Sequence, residues 1–279
     1  MPNLWKGRIL QGKAFPGDWI YLWCLSDLEA QKISSAPESY RSRESWQMTV
    51  CENKKRALSR RDRKEKVLCS LRKDNLSDVL KDLATIPPKE IINSLLSYVQ
   101  SQEDRVKWAA VAALGASVAE LAEKNMESGR VIMRRLMWNL NDESGGIGWG
   151  SPEAMGEIEA CHRGLAEEFG SILLSYCRED GNYLEYEPLQ RGLLWGIGRL
   201  AQAWPDIAAP ALPLLLPYLS SSDPIVRGHG AWALGYIADE STKPFLEMLV
   251  KDEARFTTFM NGKVLERSVA DMAREALEG

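Results

Sequence analysis

The chain has 279 residues, 45% hydrophobic and 27% charged, with a formal net charge of −4. This balance is ordinary for a soluble protein and excludes collagen-like or low-complexity chains. The longest apolar run, 207–219, spans 13 residues with three prolines, too short and too broken to cross a membrane.

The first residues, 1–47, hold Trp5, Trp19, Trp23 and Trp46 but show no sustained periodicity, and 34–47 reads as disordered. No basic stretch followed by a continuous apolar one opens the chain, so no signal peptide is expected. Met48 is a candidate start, which would make 1–47 a translated upstream region; the rival readings are a recognition arm with aromatic anchors and a small capping domain. Next comes a basic segment, 48–75, with ten Lys/Arg against four Asp/Glu, a net of +6, and a capping helix expected from about Arg61 to Arg72. Such a run is either a solvated face or a contact for an anionic partner. The remaining body, 76–279, carries a net of −11, which does not suit general binding to a phosphate backbone.

Within that body a phrase recurs. "VKWAAVAALGASV" (106–118) resembles "VRGHGAWALGYIA" (226–238), and "PEAMGEIEA" (152–160) and "GLLWGIGRLA" (192–201) lie between them. Their glycines, 115, 156, 196 and 235, are 41, 40 and 39 residues apart, and a weaker copy, "VADMAREALE" (269–278), follows without the glycine. Each copy has helical spacing: Val226, Gly230, Ala233 and Ile237 share one face. An apolar segment precedes every copy (91–100, 130–140, 169–177, 209–219, 243–250), ending in polar turn residues. The unit is therefore helix–turn–helix, and units of this kind bury their apolar faces by stacking.

"SDPIVRGHGAWALGYIAD" (222–239) resembles the second-helix phrase of HEAT repeats through Asp223, Pro224, Val226, Arg227, Ala233, Leu234, Gly235 and Ile237. His229 and Gly230 depart from the alanines usual there. The array looks most like the short bacterial HEAT-like repeats named after phycobilisome lyases, over roughly 66–279. The resemblance implies an all-α, right-handed α-solenoid of HEAT-like helix pairs, with a poorly structured N-terminal extension. It is specific for fold and weak for function.

The stretch "NLNDESGGIGWGSPEAMGEI" (139–158) interrupts the pattern with a long glycine-rich turn. Ser151 is the expected N-cap, Pro152 suits the first helical position and Glu153 the first turn. A well-capped turn explains Gly145, Gly146, Gly148 and Gly150, but not the polar cluster Asn139, Asn141, Asp142 and Glu143 beside Trp149. A partner- or ligand-contacting loop is the alternative. It is not a P-loop, since no Gly-Lys-Ser/Thr follows, and its flanks do not suit a calcium loop. Second helices line the concave surface in HEAT arrays, so the resemblance implies that Trp108, Trp149 and Trp232 form an inner aromatic strip, with Tyr236 one turn on; the competing reading packs them against neighbouring repeats. Trp195 is expected in the core.

No Ser/His/Asp set, HExxH or paired-Cys zinc spacing is present; His162 and His229 are far apart, and Cys161 and Cys177 read as structural. Five cysteines at irregular spacing give no disulfide framework, and a cytoplasmic protein with reduced thiols is expected. The expectation is a non-catalytic scaffold, with no cofactor and no metal, that takes a protein partner bearing a basic or amphipathic segment into its groove. Nucleic acid and membrane are not expected as partners. The expected contacts are Trp108, Asn139, Asn141, Asp142, Glu143, Gly146, Trp149, Glu153, Trp232 and Tyr236. Two enzyme classes remain as alternatives through the resemblance. One is bilin lyase-type proteins. The other is alkylbase DNA glycosylases, which would need a basic inner face, and Lys107, Arg199 and Arg227 are the obvious cations there.

Overall fold

The computed structural model describes residues 59–141 and 148–278. The expectations for 1–47, and for Asp142, Glu143 and Gly146, lie outside the described residues.

Helix α1 (Arg60–Leu71) starts at a capping box. The Ser59 hydroxyl accepts from the Asp62 N–H, and the Asp62 carboxylate accepts from the Ser59 N–H. Helix α2 (Leu76–Ala84) is capped by Asn75. Helix pairs follow: α3 (Pro88–Tyr98) with α4 (Asp104–Lys124), α5 (Met126–Leu140) with α6 (Ser151–Cys161), and α7 (Arg163–Ser175) with α8 (Glu187–Ala203). The next first helix is broken into short turns, α9 (Pro205–Ala208) and α10 (Leu212–Leu215), each continued by a 3₁₀ turn. Pro210, Pro213 and Pro217 cause this, because each removes a backbone donor. Its partner is α11 (Pro224–Leu234), capped by Asp223. The last pair is α12 (Lys243–Leu249) with α13 (Val269–Glu278).

The second helices α4, α6, α8, α11 and α13 pack side by side in chain order as an inner layer, with the first helices behind them. The marker glycines stand where these helices touch. A Cβ on Gly156 would lie 2.3 Å from the Cα of Gly196, so α6 and α8 meet backbone to backbone. A Cβ on Gly115 would lie 2.7 Å from Glu157 Cγ, and one on Gly235 3.0 Å from Ala276 Cα. The forty-residue period is thus a packing requirement.

Two local expectations change. The N-cap of α6 is Gly150, in the left-handed region at φ 74°, and Ser151 makes no capping bond. A Cβ at residue 150 would stand 2.2 Å from the Val99 carbonyl oxygen, so glycine is needed on both counts. The helical array also carries a β-hairpin, β1 (Arg255–Met260) and β2 (Lys263–Ser268), inserted between α12 and α13. Met260 pairs with Lys263 across a two-residue turn, Asn261 (φ 50°) and Gly262 (φ 74°). Asn-Gly suits a tight turn with both central φ angles positive, whose twist matches the strands.

Candidate functional site

The inner face holds the expected tryptophans, but the hairpin lies over them. Phe259 of β1 stacks on Trp108 of α4, with ring centroids 5.2 Å apart and planes 6° from parallel. Trp195 of α8 sits 4.6 Å from Trp108 and donates its Nε1–H to the Phe259 carbonyl at 2.7 Å. Trp232 of α11 packs on Gly198, where its ring occupies the place of a Cβ. Phe256 does the same at Gly228. The hairpin is therefore a strap running from the last pair back to α4. Trp108 and Trp232 keep only 8% and 6% exposure, so these two predicted contacts are core residues and the inner strip is closed.

Beneath the strap, charges are neutralised in place. Glu153 and Glu157, one turn apart on α6, bridge outward to Lys107 of α4 at 2.7 Å and Arg199 of α8 at 2.6 Å. Arg227 pairs with Asp252 at 2.7 Å. All three inner cations named from the sequence are thus matched by carboxylates, and Glu153 is a buried tie between helices. His229 is buried: Nδ1 donates to the Arg191 carbonyl, which can only accept, leaving Nε2 to accept from the Thr258 hydroxyl at 2.8 Å. Burial pushes its pKa down to about 4. Glu159 is fully buried with neither carboxylate oxygen partnered, and burial pushes its pKa well up. His162 caps α7, its Nδ1 accepting from the Leu165 N–H. Among the described residues no three His, Cys, Asp or Glu side chains converge in a metal-binding arrangement.

Trp138 on α5 and Phe245 on α12 are exposed singly, whereas an exposed group of aromatics lies at the edge where first helices turn into second ones. Trp149, before α6, meets Tyr186, before α8, edge to face at 5.7 Å, and both are exposed. Tyr183 is exposed on the same turn, its hydroxyl held by Gln190 Nε2 at 3.2 Å. Around them 178–187 carries Glu179, Asp180, Glu185 and Glu187, all exposed, against one basic residue, Arg178. Asn141 ends α5 and is exposed. Asn139 is half-buried on the other side of α5, and Tyr236 accepts from Gln202 Nε2 at 3.0 Å, away from the turn edge. The structure therefore separates the predicted contacts and leaves Trp149 on the open edge.

Residues 187–237 match the family model of the HEAT-like repeat. The chain carries a HEAT-like repeat. The match runs from α8 to just past α11 and includes two marker glycines, Gly196 and Gly235. No curated protein matches the chain. Solved structures similar to it include an engineered protein at 17% identity, covering 77% of this chain and 95% of that one, TM-score 0.44. A designed armadillo repeat protein in complex with the peptide (KR)4 is similar at 19% identity, covering 76% and 97%, TM-score 0.45. A second designed armadillo repeat protein is similar at 19%, covering 76% and 97%, TM-score 0.42. The helix pairs form a repeat array, and no helix among the described residues is long and apolar enough to cross a membrane. Sequence reasoning passed over Tyr183 and Tyr186, which follow the polar turn "REDGN" and were signalled only by being aromatic there.

Proposed function

We propose that this protein is a non-catalytic scaffold that binds a basic segment of a partner protein along its turn edge. The observation that carries this is the exposed Trp149–Tyr186 pair on adjoining turns, with Tyr183 beside it and an acidic rim around it. Exposed aromatics supply contact area at low conformational cost, and carboxylates around them favour Lys/Arg-rich chains over acidic ones. The inner face contributes rigidity, because the strap fills it and its cations are paired. A partner that entered the inner face would first have to displace Phe256 and Phe259.

The test is fluorescence titration with extended peptides that are Lys/Arg-rich, acidic or uncharged. The basic peptides should bind, and Trp149→Ala with Tyr186→Ala should weaken them by about tenfold or more. Equal binding of all three classes, or unchanged affinity in the double variant, would refute the edge as the recognition surface.

A further inference from the structure

The basic segment singled out in the sequence is not absorbed by an acidic turn edge, and the structure gives part of it a place. Three helices each turn one i, i+4 pair into a cleft of about 350 Å³: Arg60 and Lys64 from α1, Asn93 and Ser97 from α3, Arg135 and Asn139 from α5. Among the described residues no Asp or Glu lines this cleft. Three described acids of these helices pair with other cations: Glu65 with Arg61 at 3.4 Å, Glu90 with Arg63 at 3.1 Å, and Glu127 with Arg134. Three cations thus face a space lined otherwise by amides, hydroxyls and one leucine.

Neutral partners hold two of the cations in position without cancelling their charge. Asn93 Oδ1 accepts from Arg135 Nη1 at 2.7 Å, which leaves other guanidinium N–H groups available. Lys64 Nζ donates to Ser97 Oγ at 3.0 Å and lies 5.3 Å from the centre of the Tyr98 ring. Two guanidinium groups and one ammonium converging with no carboxylate among the described lining residues form the pattern that recognises a tetrahedral oxyanion, since arginine matches phosphate oxygens in a bidentate fork.

We propose that the α1–α3–α5 cleft binds a phosphate group, with Arg60, Lys64 and Arg135 as its charged contacts and Asn139 as a polar one. The cleft has room for more than the phosphate itself. Two carriers share this chemistry: a small free phosphate and a phosphorylated side chain of another protein.

The experiment is calorimetric titration of the full chain at low ionic strength, with inorganic phosphate and with a short peptide bearing one phosphoserine. Saturable binding is expected. Lys64→Gln and Arg135→Gln should each weaken it by about tenfold. Arg134→Gln removes the same charge from the neighbouring position, where the guanidinium pairs with Glu127, and should leave affinity within about twofold. Equal affinity for both probes assigns the site to the free group, and a preference of about tenfold for the peptide assigns it to a phosphorylated chain. Absence of saturable binding with both probes, or equal losses in Arg134→Gln and Arg135→Gln, would overturn the proposal.

Discussion

Phe259→Ala tests the strap directly. Phe259 is 9% exposed, stacks on Trp108 at 5.2 Å and lies 6.3 Å from Trp195. Truncating a buried phenylalanine costs about 3–5 kcal/mol, and a stacked aromatic pair adds about 1 kcal/mol beyond its area. The hairpin is tied to the array at one end only through α12 and α13, so it can settle partly into the gap, and a loss of about 3 kcal/mol is expected. The indole N–H of Trp195 can still donate to the carbonyl of residue 259 after the substitution, but that bond loses its cover. Urea unfolding followed by tryptophan emission measures both effects: a lower midpoint, and a red-shifted native spectrum as Trp108 and Trp195 meet water. Thr257→Ala, on the exposed side of the same strand, is the control and should stay within about 0.5 kcal/mol. A loss for Phe259→Ala below about 1 kcal/mol with an unshifted spectrum would refute the strap as a stabilising cover.

The glycines and the buried titratable groups give further tests. Gly156→Ala forces a Cβ against the Gly196 backbone at 2.3 Å and should cost about 3 kcal/mol or abolish folding, whereas at Gly230 the nearest atom is 3.3 Å away on a flexible leucine and alanine should be neutral or stabilise by up to about 1 kcal/mol. Comparing the two melting curves decides whether close approach or helix propensity governs these positions. His229 titrates near 4 when folded against 6.5 when unfolded, so the unfolded chain binds the extra proton and stability falls as pH drops from 6.5 to 4, by at most about 3 kcal/mol. His229→Gln should flatten that acid limb in urea midpoints. Glu159 has the opposite sign: its folded pKa is raised above 4.5, the unfolded chain loses its proton first, and stability falls as pH rises past 4.5. Glu159→Gln should remove that alkaline slope; an unchanged pH profile would mean the carboxyl finds a partner in solution.

Most of the fold was legible because the information is local and repeated. Gly115, Gly156, Gly196 and Gly235 mark helix contacts that recur in four successive units, so spacing alone reveals the stack. The candidate site was less legible, for a reason visible at Trp232. A helical wheel places it away from Val226 and Ala233, and in the structure it is indeed on another face, but that face is also buried, against Gly198 and Trp195. The wheel reports which residues share a side and not what a later segment lays over that side. That segment had its own signal in Asn261-Gly262, the dipeptide most suited to a two-residue hairpin turn. The strands around it blur the period-two pattern: Thr258 and Phe259 are neighbours in β1 and both are buried, because one bonds His229 while the other stacks on Trp108. Where both faces are covered, as at 258–259, a strand loses the alternation by which it is recognised. The same contact explains why the tryptophans looked available. Trp108 and Trp232 are large and turned away from the apolar face read on the wheel, which is the pattern of a binding face and equally that of a face covered by its own chain. Trp149 differs in lying before its helix, beyond the strap's reach, so of the three it alone stays on open surface.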